Sequence, residues 1–162
     1  MHNYGDRNPK KTIRESTEYQ KFFKALSQGF VVKKDAQDKD SVTNPDLLDC
    51  SDSIAALLFK GTGFQQKKDT VNQFRKFFNE VNGLKKLREN ASKLGVELRL
   101  LRARMSYAVG RQTISEDFSI VINDCIDTII KQGDLKTQIQ GFCNVFEALY
   151  AYYHYHTKVR AN

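Results

Sequence analysis

The sequence predicts an all-α protein, a single compact helical bundle of about five helices with a flexible N-terminal extension. Hydrophobic residues make up 40% of the 162 residues, which is enough to bury one core. From about residue 46 onward, apolar residues recur at intervals of three and four, as on one face of an α-helix. Only two prolines occur, both before Leu47, and glycines do not cluster, so the turns of a β-sandwich are missing. We therefore expect a polar, partly disordered N-terminal extension over 1–45 and a helical bundle domain over 46–162.

The predicted extension contains one short helix. Residues 1–14 are polar and basic and show no periodicity, so a mobile arm is expected there. Over 15–28, the apolar spacing around Phe22 predicts one amphipathic helix. Residues 33–45 carry the composition of a polar linker.

Five helices are predicted for the bundle. Pro45 suits the first turn of a helix that ends near Gly61. The fourth helix has the most complete apolar stripe, and Ser115 with the acidic residues after it provides a cap and favourable charges for the helix dipole. The fifth helix has a period of 3.5 residues, which favours near-antiparallel packing. After the helix at Pro45, the predicted spans are 69–90, 95–111, 115–131 and 135–157.

Charge is distributed unevenly along the chain. The formal net charge is +7, yet residues 60–111 hold 13 basic and 4 acidic side chains, while 112–157 hold 2 and 6. Such a basic segment indicates contact with a polyanion rather than a coat that only keeps the protein soluble. The acidic segment is expected to face a basic neighbour, which would let copies associate head to tail.

Several functional classes find no support in the sequence. No apolar run reaches the length of a membrane span and the N-terminus lacks the apolar core of a signal peptide, so we expect a cytoplasmic protein. Cys50, Cys125 and Cys143 form no CxxC pair and are expected to be reduced core residues. His154 and His156 are two residues apart and cannot share a metal on one helix. We predict no catalytic residue, no metal, no cofactor and no small-molecule substrate.

The basic segment supplies the candidate RNA-binding residues. On the helix predicted over 95–111, two arginines flank one tyrosine at steps of three and four. Arginine can bind phosphate through two donors, and tyrosine can stack on a base or ribose. The plainer interpretation is a solvated helix face, but glutamates rarely interrupt this segment. The candidates are Lys67, Lys68, Arg75, Lys76, Arg102, Arg104, Tyr107 and Arg111.

Aromatic residues cluster near the C-terminus. A helix with rings on several sides is unable to bury all of them in a small monomer. Core packing, protein–protein contact and base stacking all remain open for individual rings. The candidate residues of a subunit interface are Tyr150, Tyr152, Tyr153 and Tyr155.

Three motifs resemble one known family. The motif QFRKFFNEV at 73–81 resembles the QLRKFYNEV-like segment of the small helical subunit of the type III-A CRISPR (Csm) interference complex. The motif LRARMSYAVGR at 101–111 is similar to that family's LKPKLAYAAGR-like segment, and FEALYAY at 146–152 to its C-terminal FxEAIVAY-like helix. The resemblance covers about 69–156, in the family's order. It transfers the family's pattern to Arg75, Lys76, Arg104, Tyr107, Gly110 and Arg111.

The sequence departs from this pattern at two positions. Ala103 stands where the family often has proline, which predicts a helix that starts earlier and runs straighter. Phe78 replaces a common tyrosine and removes one hydroxyl group.

The resemblance implies an all-helical, antiviral-defence subunit without catalytic activity. Copies would stack inside the complex, beside a filament of subunits bound to guide RNA, and line the groove that holds the guide–target duplex. The implied partners are guide RNA, target RNA, other Csm subunits and further copies of the chain itself, with no membrane. Two alternatives remain open from the residues: a basic helical DNA-binding regulator, and a purely structural helical oligomer.

Overall fold

Six α-helices and one two-stranded ribbon make up the described part of the chain. The computed structural model describes residues 11–33, 41–61 and 71–159. Two three-residue 3₁₀ turns lie at Ile13–Glu15 and Lys85–Leu87. The all-α prediction is confirmed. The helices are α1 (Thr17–Leu26), α2 (Pro45–Lys60), α3 (Val71–Leu84), α4 (Ala91–Gly110), α5 (Glu116–Gln132) and α6 (Leu135–Val159); the strands are β1 (Val31–Lys33) and β2 (Ser41–Thr43).

The starts of α2 and α5 follow the sequence signals closely, whereas α3 ends at Leu84, six residues before the predicted end at residue 90. Pro45 is the first residue of α2, as predicted, and the Asn44 side chain caps this helix by accepting from the Asp46 amide at 3.1 Å. Ser115 caps α5 by accepting from the Phe118 amide at 3.0 Å. Helix α4 continues through Ala103 and begins four residues earlier than the periodicity predicted, which agrees with the loss of the family's proline.

The prediction of a linker over 33–45 is wrong for its described end. Ser41–Thr43 forms β2, which pairs antiparallel with β1 so that Val32 lies opposite Val42. Strands of three residues are too short to show the alternation of buried and exposed side chains by which a strand is recognised. The ribbon is therefore determined by pairing between segments rather than by local pattern.

The described residues of the predicted extension pack against the bundle. Ile13, Tyr19, Phe22 and Phe30 are buried in the same hydrophobic core as the long helices. The predicted short helix is present as α1, two residues shorter at each end than 15–28. The arm at 1–10 lies outside the described residues, and the division between residues 45 and 46 stays a prediction.

Helix α6 is the centre of the bundle. It packs against α2 and α3, and its buried side includes Phe142, Phe146 and Tyr153. A Cβ atom on Gly141 would lie 2.4 Å from the carbonyl oxygen of Phe30, so this glycine lets the N-terminal backbone lie directly on α6. Helix α5 packs on the other side against α4. One face of α4 remains exposed, and this face holds the candidate site.

Candidate nucleic-acid interface

Arg104 is held at the surface between α3 and α4. Its Nε donates to Oε2 of Glu80 on α3 at 2.8 Å, and its Nη2 lies 3.7 Å from Oε2 of Glu97, two turns earlier on α4. The guanidinium remains partly exposed. Sequence reasoning missed both glutamates as partners. The signal for Glu97 was present, because residues seven apart share a helix face, whereas the contact with Glu80 depends on how the helices pack.

Tyr107 and Arg111 continue the same exposed face of α4. Tyr107 is 66% exposed. Arg111 donates from Nη1 to the Tyr107 hydroxyl at 3.2 Å, and its guanidinium carbon lies 5.7 Å from the centre of the ring. The structure therefore brings three of the predicted residues together, with a ring and two guanidiniums along one face. A phosphate backbone could contact the guanidiniums while the ring packs on a sugar or base.

Arg102 points away from this face. Residues two apart on an α-helix are separated by about 200°, and Arg102 forms an ion pair with Asp127 on α5. Its Nε is buried and finds no hydrogen-bond partner among the described residues. The predicted set is thus divided between two sides of α4.

Arg75 and Lys76 lie on α3, and both are exposed. Arg75 donates from Nε to the Tyr150 hydroxyl on α6 at 3.1 Å. The Lys76 ammonium lies 5.7 Å from the centre of the Phe77 ring. Arg75 therefore belongs to the α3–α6 side, and Arg104 to the α3–α4 side. The predicted residues Lys67 and Lys68 lie outside the described residues.

The four tyrosines of the predicted subunit interface have different environments. Tyr152 and Tyr155 are exposed on α6. Tyr150 is half-buried and stacks on Phe78, with 4.9 Å between ring centres. Tyr153 is 0% exposed and packs against Phe74. We correct its assignment accordingly: Tyr153 lies on the buried stripe of α6, so its side chain is a core residue and is not accessible to a partner.

The described thiols and histidines belong to packing contacts. Cys125 and Cys143 are buried, and burial raises the pKa of the Cys143 thiol to about 11. His156 is buried, and its Nε2 lies 2.7 Å from Oδ1 of Asp52 on α2. Over 11–33, 41–61 and 71–159, no three side chains form a group that could hold a metal ion. The helices within these ranges include none with the length and apolar character needed to cross a membrane.

A family model described as Csm2 Type III-A matches residues 43–159. The chain belongs to this family. The match begins at Thr43, the last residue of β2, spans all helices from α2 to α6, and includes every candidate residue named above. The chain is therefore a small subunit of the type III-A CRISPR Csm complex, which contains other subunits, and the resemblance noted in the sequence is confirmed. Comparisons with curated proteins and with solved structures gave no match.

Proposed function

We propose that this Csm2-family chain is a non-catalytic subunit that binds the backbone of the guide RNA–target RNA duplex through Arg104, Tyr107 and Arg111. The fixed position of Arg104 carries the proposal. Two carboxylates orient its guanidinium, and they use only two of its three nitrogens. A cation that is already oriented loses less side-chain entropy when it binds a phosphate.

The chemistry of this face suits backbone contact rather than sequence reading. In a guided complex, base pairing between guide and target supplies the sequence specificity. A lining subunit then needs several modest phosphate contacts, which add along the duplex and weaken as salt rises. The proposal places the chain in the cytoplasm with guide RNA and target RNA, without a cofactor or small-molecule substrate.

Two exposed apolar stripes support the stacking of copies. On α4, Val96 is 55% and Leu100 44% exposed. On α6, Tyr152, Tyr155 and Val159 follow one another at steps of three and four and are also exposed. Neither stripe is covered by the described part of the chain. Exposed apolar patches on a protein surface often mark interaction sites.

The charges beside the stripes favour head-to-tail contact. Arg99 and Arg104 flank the α4 stripe, whereas Asp52 of α2 reaches α6 beside Tyr155, at His156. Packing α4 on α4 of a second copy would bring arginines together, while packing α4 on the α6 stripe places opposite charges closer. A heterologous contact of this kind leaves one stripe open at each end, so it can continue into a filament.

The RNA contact can be tested with two double variants of equal charge. Arg104→Gln with Arg111→Gln removes two cations from the α4 face, and Arg88→Gln with Lys136→Gln removes two exposed cations elsewhere. We expect the first to weaken binding of duplex RNA by about tenfold and to lower the slope of log affinity against log salt by about two. The second should change both far less. Binding would be measured by fluorescence anisotropy at several salt concentrations.

Equal losses in the two double variants would overturn the assignment of this face. Preferential binding of one duplex DNA sequence, with protected half-sites, would instead support the DNA-binding regulator. Far-ultraviolet circular dichroism of each variant checks that the helices remain folded.

A further inference from the structure

An exposed aromatic ring on α1 lies between two surface cavities. Phe23 is 49% exposed. One cavity, of about 250 Å³, is lined by Phe23, Arg14 and α5 residues that include Lys131. The other, of about 220 Å³, is lined by Phe23, Arg14 and Lys24 among others. Helix α1 precedes the residues matched by the family model, whereas the α5 residues of this surface lie within the match.

The walls of these cavities are held in place by a buried polar network. Arg14 donates from Nη1 and Nη2 to the two carboxylate oxygens of Asp124, each at 2.9 Å. The Tyr19 hydroxyl donates to the same carboxylate, and the Tyr19 ring lies 6.4 Å from that of Phe23 in a stacked arrangement. The Ile13 amide donates to Asp117 at 2.8 Å. A surface fixed in this way is preformed, so a partner would not have to order it on binding.

The rim of the surface carries two exposed lysines, Lys24 and Lys131. The two carboxylates that line the larger cavity already have partners, since Asp124 binds Arg14 and Tyr19 and Asp127 binds Arg102. By contrast, Lys24 and Lys131 are exposed and pair with no carboxylate of the described residues. An apolar ring beside two such ammonium groups is complementary to an apolar side chain flanked by carboxylates.

We propose that α1 and α5 form a docking site for a different protein subunit of the same complex. The occupant is a segment with one large apolar side chain, seated beside Phe23, and carboxylates that face Lys24 and Lys131. The proposal requires only that the chain belongs to a complex with other subunits, and it is independent of the RNA contact on α4.

The test uses the complex reconstituted from its own subunits and guide RNA. A photo-crosslinking phenylalanine analogue, p-benzoylphenylalanine, takes the place of Phe23, and the crosslinked product is identified by mass spectrometry. We expect a crosslink to another protein subunit, within an acidic segment that contains a large apolar residue. Reversing the rim charges with Lys24→Glu and Lys131→Glu should lower the yield by about fivefold or more.

A matched control separates this site from general charge effects. Lys93→Glu with Lys158→Glu makes the same change of charge at exposed positions away from the cavities and should leave the crosslink unchanged. A crosslink only to RNA, only to a second copy of this chain, or to nothing would overturn the proposal, as would equal losses in the two double variants. The RNA affinity of the rim variant should stay within about twofold of the parent, so failure here is distinguishable from failure of the α4 assignment.

Discussion

Helices α4 and α5 pack side by side, carry opposite charge and use that charge differently. The cations of α4 lie at the surface, where they remain at least partly exposed. Two of the four carboxylates of α5 face inward: Asp117 and Asp124 are buried and bind the N-terminal segment through Ile13 and Arg14. One helix therefore keeps its charge at the surface, while two carboxylates of its neighbour bind the N-terminal segment of the same chain.

The contacts of the acidic segment bear on one expectation from the charge pattern. The acidic segment over 112–157 was expected to face a basic neighbour from another copy. Four of its six carboxylates bind groups of the same chain: Asp117, Asp124 and Asp127 make the contacts described above, and Asp134 accepts from the Thr137 amide at 3.3 Å. Within the chain, α5 thus pairs with Arg102 of α4 and with Arg14 of the N-terminal segment, and the association of copies stays a prediction.

The largest expected effect is on stability, from Asp124→Ala. This change leaves the buried Tyr19 hydroxyl without its acceptor and Arg14 without its bidentate partner. We expect the free energy of unfolding to fall by about 2–3 kcal/mol, measured by urea denaturation. The matched control is Asp127→Asn on the same helix, where the carboxylate is exposed and the expected loss is below about 1 kcal/mol. Similar losses of unfolding free energy in both variants would mean that the buried contacts of Asp124 stabilise the fold no more than the exposed ion pair of Asp127 does.

Local patterns in the sequence predicted most of the fold. The apolar stripe of α5, its cap at Ser115 and the start of α2 at Pro45 each depend on residues within one or two turns. The ribbon between β1 and β2 depends on pairing across the chain. The packing of Ile13 on α5 likewise depends on a contact 104 residues away. Such contacts leave no local periodicity, so helix patterns alone are unable to reveal them.

The candidate site shows the same division. The shared face of Arg104, Tyr107 and Arg111 follows from helical spacing alone, as does the opposite direction of Arg102. The partners Glu80 and Asp127 come from other helices, and their identity requires the packed structure. By spacing, Tyr153 belongs to the apolar stripe of α6. Because it lies within a cluster of four tyrosines, the sequence prediction did not separate its buried position from the exposed positions of Tyr152 and Tyr155.

The second effect concerns assembly, for which α4 and α6 are proposed to be complementary. Leu100→Glu on α4 or Tyr155→Glu on α6 should each weaken self-association by about tenfold or more, because a charge enters an apolar contact. Glu116→Lys on the exposed start of α5 should have little effect. The mass in solution would be measured by light scattering.

Mixing the two assembly variants distinguishes the direction of stacking. In a head-to-tail contact, each variant keeps one intact stripe, so the mixture should form pairs with one copy of each and nothing larger. If α4 instead packed on α4, the Tyr155→Glu variant would associate alone and the mixture would gain nothing. A parent chain that remains monomeric at every concentration would contradict the proposed stacking of isolated chains.

The smallest expected effect tests whether α5 masks part of the basic surface of α4. Asp127→Asn removes the anion that binds Arg102 and leaves that guanidinium more available to phosphate. Because the pair is exposed and screened by salt, we expect duplex RNA to bind only about twofold more tightly. Glu116→Gln makes the same change of charge on α5 but touches no cation of α4 among the described residues, so it should leave the affinity unchanged. A gain in both variants would indicate that only the overall charge matters, whereas a gain in Asp127→Asn that disappears when Arg102→Gln is added would show that α4 binds RNA from both of its sides.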